Sequence, residues 1–217
     1  MKKLNEIEFN NGSLLLYAVT DRSWTGKHTL YEQVEDALKG GVTCVQLREK
    51  ELDEETFVKE AIEIKELCHK YGVPLIINDN LEVALKSGAD GIHVGAEDIT
   101  VAEIRRKVNK EFIIGATAKN VEQARKAEKD GADYLGVGAV FTSPTKKNAV
   151  RITAKQLNEI CNSVSIPAVA IGGISLDNVS EIAGCGMNGI AVISAIFEAD
   201  DIIETTKKLK DIVIDII

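Results

Sequence analysis

The chain has 217 residues, 45% of them apolar, and a formal net charge of −8, which suits one compact domain over 1–217. The acidic balance excludes a general nucleic-acid or anionic-membrane surface, although a cleft can still carry a positive field of its own. Four widely spaced cysteines, Cys44, Cys68, Cys161 and Cys185, include no C-x-x-C pair; they read as reduced thiols of a cytoplasmic protein, not as a disulfide or zinc framework.

The chain opens on Met1-Lys2-Lys3 and the polar residues Asn5, Glu6, Asn10 and Asn11, followed by the apolar run Leu14-Leu15-Leu16-Tyr17-Ala18-Val19. That run is too short to span a membrane and wrongly flanked for a signal peptide, so it is expected to be a buried strand. Seven more runs of the same kind follow, making eight in all: 14–20, 43–48, 74–78, 91–94, 112–117, 134–138, 167–171 and 189–193. Short, nearly continuous apolar runs are what a parallel sheet covered on both faces requires. Amphipathic stretches lie between them, for example Glu54 to Tyr71, whose Phe57, Ala61, Ile64 and Cys68 share one helical face.

Four of the runs are fed by glycine-rich turns, at Gly40-Gly41, Gly88-Ala89-Asp90-Gly91, Gly131-Ala132-Asp133 and Gly186-Met187-Asn188-Gly189. Thr100 with Glu103 forms a capping-box pattern, Asn120 with Gln123 resembles one, and Ser175 marks the start of a further helix. Pro74 and Pro167 open strands, where a missing amide donor is tolerated. The pattern predicts a single (β/α)8 TIM barrel with a parallel eight-stranded core. A doubly wound open sheet is the competing arrangement, and the count of eight strand–helix units favours closure. In a barrel, functional residues lie where the strands end.

The second run ends Gln46-Leu47-Arg48-Glu49-Lys50. Residues two apart share a strand face, so Gln46, Arg48 and Lys50 would project together as an anion grip; the bland alternative pairs Arg48 with Glu49 or a helix acid at the rim. The third run ends Asn78-Asp79-Asn80, where the polar residues would either cap the next helix or serve the site. The fourth ends His93-Val94-Gly95-Ala96-Glu97-Asp98, and Thr100 already fits the cap position there. Two carboxylates at adjacent strand ends, Asp79 and Asp98, facing Arg48 and Lys50, point to a divalent metal bridging to phosphate. His93 is read as structural, with a role as base as the alternative.

The seventh run leads into Gly172-Gly173 and the eighth into Ile193-Ser194, the places where barrels hold a phosphate monoester on exposed amides. The connection 142–152 includes Thr142-Ser143-Pro144-Thr145-Lys146-Lys147; a charge run of this kind is ordinarily solvated surface, and beside two anion sites it reads equally as a lid that closes on anions. Two anion sites in one mouth suit the joining of two phosphorylated small molecules with loss of pyrophosphate.

The ordered set Leu16-Tyr17-Ala18-Val19-Thr20-Asp21, Gln46-Leu47-Arg48-Glu49-Lys50, Asn78-Asp79, His93-Val94-Gly95-Ala96-Glu97-Asp98, Thr142-Ser143-Pro144-Thr145-Lys146 and Ile171-Gly172-Gly173-Ile174 resembles the thiamine phosphate synthase family, over about Leu16 to Ile196. The resemblance implies a transferase that condenses 4-amino-5-hydroxymethyl-2-methylpyrimidine diphosphate with 4-methyl-5-(2-phosphoethyl)thiazole, giving thiamine monophosphate and pyrophosphate. It implies that Gln46, Leu47, Arg48, Glu49, Lys50, Asn78, Thr117 and Lys146 hold the pyrimidine diphosphate, with Arg48, Lys50, Lys146 and Thr117 serving catalysis. It implies Ser143, Pro144, Thr145, Gly173, Ile193 and Ser194 for the thiazole phosphate, and Asp79 and Asp98 for Mg²⁺. It also implies a dissociative reaction, in which pyrophosphate leaves before the thiazole nitrogen attacks.

One stretch departs from the family. Where the family commonly has Gly-Val-Ser-Ala-His, this chain has Gly115-Ala116-Thr117-Ala118-Lys119. Thr117 keeps the hydroxyl; Lys119, where the family has the histidine, either adds an anion contact or points to solvent. The alternatives are a thiazole tautomerase-like isomerase, a sugar-phosphate barrel enzyme with one phosphate site, and a barrel that only binds thiamine precursors. The partners expected are phosphorylated small molecules and a further copy of the chain in a homo-oligomer, with no nucleic acid and no membrane.

Overall fold

The computed structural model describes residues 2–4, 7–26, 28–142 and 151–217. Eight parallel strands close into a barrel in sequence order: β3 (Leu16–Val19), β4 (Cys44–Leu47), β5 (Leu75–Asn78), β6 (Gly91–Val94), β7 (Ile113–Ala118), β8 (Tyr134–Gly138), β9 (Ala168–Ile171) and β10 (Gly189–Val192). Each lies within about two residues of an expected apolar run. The closing pair is β10 with β3, in register at Ile190 and Leu16. A closed barrel leaves no sheet edge unpaired.

Strand alternation sorts the apolar residues into two layers. Leu16, Ala18, Val45, Leu47, Leu75, Ile77, Ile92 and Val94 face outward and pack with the helices, while Tyr17, Val19, Cys44, Ile76, Ile113, Tyr134 and Val169 fill the interior. Fully burying such an aliphatic side chain contributes about 1.5–3 kcal/mol, so a register slip of one residue would exchange the two layers and is strongly opposed.

The helices are α1 (Leu30–Lys39), α2 (Glu54–Lys70), α3 (Leu81–Ser87), α4 (Val101–Arg105), α5 (Val121–Asp130), α6 (Ala154–Cys161), α7 (Ser194–Phe197) and α8 (Ile202–Ile216). α2 buries Phe57, Ala61, Ile64 and Cys68 as its periodicity predicts, with Leu67 beside them. Thr100 and Glu103 form the expected capping box of α4, and Asn120 caps α5 by accepting from the Gln123 amide.

Two features differ from the sequence expectation. Before the barrel, β1 (Lys2–Leu4) and β2 (Ile7–Phe9) form an antiparallel pair. Ile7 and Phe9 join the interior cluster, with the Phe9 ring centroid 6.0 Å from that of Tyr134 at the start of β8. This pair plugs the end of the barrel where the strands begin. After β9, the helix expected beyond Ser175 is instead a 3-10 turn at Val179–Ile182. The Asn178 side chain is engaged with Gly173 O and Ser175 N, and Gly184 and Gly186 sit at positive φ, so the segment turns instead of propagating a helix.

All four cysteines are buried and free. Among the described residues no helix is long and apolar enough to cross a membrane.

Candidate active site

The strand ends carry the polar residues that the interior cannot accommodate. Gln46 faces inward at the end of β4 and is 5% exposed. Arg48 follows on the same side, with its amide donating to Thr20 Oγ1 at 3.0 Å and its Nη1 to Asp21 Oδ2 at 2.8 Å. Asp21 also accepts from the Ser23 amide at 2.9 Å. Burial raises the Asp21 pKa, but the Ser23 hydrogen bonds and the Arg48 charge outweigh it, so the carboxyl sits below its ordinary value. Arg48 is therefore engaged just past β3 in an ion pair at the rim, of the kind the bland alternative expects but with Asp21, the cap of the 3-10 turn Arg22–Trp24, as partner.

Leu47 and Glu49 belong elsewhere. The Leu47 side chain is fully buried in the outer layer, so only its main chain can meet a ligand in the mouth. Glu49 accepts from Arg22 Nε at 2.7 Å, and the same guanidinium grips Glu60 at 2.6 and 2.7 Å. A cavity of about 610 Å³, lined by Asp21, Arg22, Arg48, Glu49 and Lys50, opens at this rim.

At the end of β5, Asn78 is half-buried on the inner face, and Asp79 turns the chain with φ 61°. Asn80 caps α3 by accepting from the Val83 amide at 3.0 Å, so Asp79 is not needed as the cap. A left-handed φ is uncommon outside glycine and persists where surrounding structure imposes it; here the Asp79 amide donates to His93 O at 2.9 Å. Asp98 accepts from the Gly95 amide at 2.8 Å. The two carboxyls meet: burial first, then the Asp98 charge and a hydrogen bond between the carboxyls, push Asp79 up to about 6, against the pull of Lys50 and Arg48. Among the described residues there is no group of three or more acidic, histidine or cysteine ligands. Two neighbouring carboxyls are hard-oxygen donors of the kind that could hold a divalent cation.

Below this rim a string of polar groups runs through the otherwise apolar interior. Gln46 Nε2 donates to the Tyr17 hydroxyl at 2.9 Å, and the Tyr17 and Tyr134 hydroxyls lie 2.8 Å apart. Tyr134 reaches His93 Nδ1 at 3.0 Å, and His93 Nε2 reaches Thr117 Oγ1 at 3.1 Å. Burial lowers the His93 pKa to about 4, against the Asp98 charge, and raises both tyrosines well above their ordinary value. His93 thus has a hydroxyl on either side, Tyr134 at Nδ1 and Thr117 at Nε2.

Across the mouth, Gly172 and Gly173 both have positive φ, 102° and 65°. A Cβ on Gly173 would lie 2.2 Å from Thr142 O, so only glycine fits there. Ile193 and Ser194 are half-buried at the end of β10 and the start of α7. Lys119 is exposed just past β7, its amide donating to Gln123 Oε1. Ser143, Pro144, Thr145 and Lys146 lie outside the described residues.

A family model described as thiamine monophosphate synthase matches residues 16–196. The chain belongs to this family. The thiamine-phosphate synthase of Clostridium botulinum is 42% identical over 207 residues, covering 95% of each chain, and that of Methanobrevibacter smithii is 45% identical over 190 residues, covering 88% of this chain and 90% of that one. The solved thiamine phosphate pyrophosphorylase of Pyrococcus furiosus superposes with a TM-score of 0.88 at 37% identity, over 95% of this chain and 98% of the other. A second, from Bacteroides thetaiotaomicron, has a TM-score of 0.67 at 21% identity and speaks to the fold alone.

As a member of the thiamine monophosphate synthase family, the protein is a transferase. Within the family barrel, Arg48, Lys50, Asp79 and Asp98 come together at one rim. Gln46 and Thr117 meet through the interior chain. Sequence reasoning assigned no role to Tyr17, Asp21, Arg22 or Tyr134. Strand parity was the available signal for the tyrosines, since Tyr17 lies two residues before the inward Val19. No local pattern could have paired Arg48 with Asp21.

Proposed function

We propose that this protein condenses 4-amino-5-hydroxymethyl-2-methylpyrimidine diphosphate with 4-methyl-5-(2-phosphoethyl)thiazole, releasing pyrophosphate and forming thiamine monophosphate. The observation that carries this reading is the meeting of Arg48 and Lys50 with the crowded Asp79–Asp98 pair, at the same barrel end as the Gly172–Gly173 turn and Ser194. Cations alone would hold any phosphate; cations beside paired carboxylates fit a metal-bound diphosphate.

In this reading Arg48, oriented by Asp21, and Lys50 bind the diphosphate oxygens and stabilise the charge that develops as the C–O bond breaks. Lys146 joins them from the connection after β8. Asp79 and Asp98 would hold Mg²⁺, which supplies charge neutralisation of the leaving pyrophosphate when bound. Gln46, Asn78 and Thr117 position the pyrimidine, whose amino-substituted ring delocalises the cation left behind. The Leu47 and Glu49 contacts reduce to their main chain.

The main-chain amides around Gly173, Ile193 and Ser194, with Ser143, Pro144 and Thr145, hold the phosphate of the thiazole. Its nitrogen then attacks the exocyclic methylene. The thiazole nitrogen carries no proton that must leave, so no general base is required; alignment of the two bound partners supplies much of the acceleration.

The test is a pyrophosphate-release assay on the purified chain with Mg²⁺ and the pyrimidine diphosphate, with and without thiazole phosphate. Equal amounts of pyrophosphate and thiamine monophosphate are expected. Binding of both ligands without release would overturn the reading in favour of a precursor-binding barrel.

A further inference from the structure

Five side chains from five strands form one continuous chain through the barrel: Gln46 on β4, Tyr17 on β3, Tyr134 on β8, His93 on β6 and Thr117 on β7, with links of 2.9, 2.8, 3.0 and 3.1 Å. The chain ends near the C-terminal ends of β4 and β7, at Gln46, which is buried, and Thr117, which is half-buried, and its middle is sealed, with Tyr17 and Tyr134 essentially unexposed. Room for it is made by missing side chains. A Cβ on Gly115 would lie 2.4 Å from the Tyr134 hydroxyl and 2.5 Å from His93 Nδ1, and a Cβ on Gly136 would lie 3.0 Å from His93 Cε1.

Each link of such a chain carries one proton, so fixing the sense of one fixes all. At the first link the Gln46 amide nitrogen donates to Tyr17. Tyr17 must then pass its own proton on. Its neighbours are the Tyr134 oxygen and the Cys44 thiol, and sulfur is the weaker acceptor. Tyr134, having accepted from Tyr17, donates to His93 Nδ1. With Nδ1 accepting from Tyr134, the His93 ring carries its proton on Nε2 and donates it to Thr117 Oγ1. The Thr117 hydroxyl proton is then left over at one end, and the Gln46 carbonyl oxygen at the other.

We propose that this relay sets the hydrogen-bonding sense of the site: His93, Tyr134 and Tyr17 are positioning residues that hold Thr117 as a donor and the Gln46 carbonyl as an acceptor toward the ligand in the mouth. The proposal rests on the preceding reading in taking that ligand to be the aminopyrimidine, whose ring nitrogens accept and whose amino group donates. A relay of the opposite sense would offer two groups of the wrong polarity. Leaving a substrate hydrogen bond unmade costs about tenfold or more in rate.

The sense is read directly from the histidine tautomer. The chain has three histidines, so long-range ¹H–¹⁵N correlation spectra of the ligand-free protein near neutral pH, with the His93 signals assigned by their loss in His93→Asn, give its protonated nitrogen. Protonation on Nε2 is expected; protonation on Nδ1 would overturn the proposal.

The coupling is read from a double-mutant cycle. Thr117→Val, which keeps the shape without the hydroxyl, and Tyr134→Phe are each expected to lower kcat about tenfold or more, with KM for thiazole phosphate within about twofold. Thr117→Ser should restore activity. The double variant should fall short of the product of the two single losses, because Tyr134 acts in part through Thr117. Additive losses, or full kcat in folded Tyr134→Phe, would mean that the tyrosine is packing only. Should Tyr134→Phe not fold, Tyr17→Phe provides the same cycle. A wild-type chain that makes no thiamine monophosphate overturns the preceding reading, while the tautomer of the ligand-free protein still decides the sense of the relay.

Discussion

Asp79→Asn should make the metal-free protein more stable while removing its metal-dependent turnover. The substitution keeps the side chain's shape and deletes the charge pressed against Asp98. Asparagine also tolerates the φ of 61° found at this position. Raising the Asp79 pKa from 3.8 to about 6 corresponds at full strength to about 3 kcal/mol. The carboxyl is partly open to water, and screening reduces this to about 1–2 kcal/mol.

For a chain of this length that is a rise in Tm of about 2–8 °C. The pH window follows from the direction of the shift. Between pH 3.8 and about 6 the folded state binds more protons at Asp79 than the unfolded chain does. The wild type therefore has its full share of stability below 3.8 and loses it as pH rises through about 6. The advantage of the variant is complete at pH 7.5 and should shrink to about half near pH 5. Thermal unfolding followed by circular dichroism in EDTA, at both pH values, measures it. A variant that melts with the wild type at pH 7.5, or whose gain is unchanged at pH 5, would refute the crowding of the two carboxyls.

Arg48→Ala should reduce kcat/KM for the pyrimidine diphosphate by at least about 100-fold, the scale of a lost transition-state charge contact. KM for the thiazole phosphate should stay within about threefold, and a loss below tenfold in steady-state kinetics would remove Arg48 from the diphosphate grip. Gly173→Ala forces a methyl against Thr142 O at a positive φ. It should lower stability by about 1 kcal/mol or more and raise KM for thiazole phosphate severalfold, whereas an unchanged KM would move the phosphate away from this turn. Lys119 is exposed, so Lys119→His should leave kcat/KM within about twofold; a change beyond tenfold would place the side chain in the site. Mg²⁺ should raise the Tm of the wild type and leave that of Asp79→Asn unmoved, as differential scanning fluorimetry would register.

Much of this architecture is legible one segment at a time. A strand covered on both faces must be apolar along its length, so runs such as 74–78 and 134–138 announce themselves, and the helix caps at Thr100 and Asn120 are set by neighbours three residues away. Strand parity then orients the ends: Gln46 and Arg48 point one way and Leu47 the other, which is why the cationic pair at Arg48 and Lys50 could be read in phase while Leu47 belongs to the helix layer. The same locality misled at Ser175. The cap-like residue is there, but a side chain from Asn178 ties the turn back to Gly173 and the helix does not form. The alternation of Ile7 and Phe9 was a strand signal too short to stand alone, and it becomes one only by plugging the barrel.

Burial and periodicity act within a single strand or helix, so the elements, their order and the barrel end on which the polar strand termini fall can be read segment by segment. Which residues meet is a matter of the assembled barrel. Arg48 finds Asp21 across 27 residues, Asp79 meets Asp98 at the next strand end, and Gln46 is joined to Thr117 through Tyr17, Tyr134 and His93. Each of these pairings depends on strand register and on closure of the sheet. Those are properties of the whole chain, fixed by packing the interior once, and no single segment contains them.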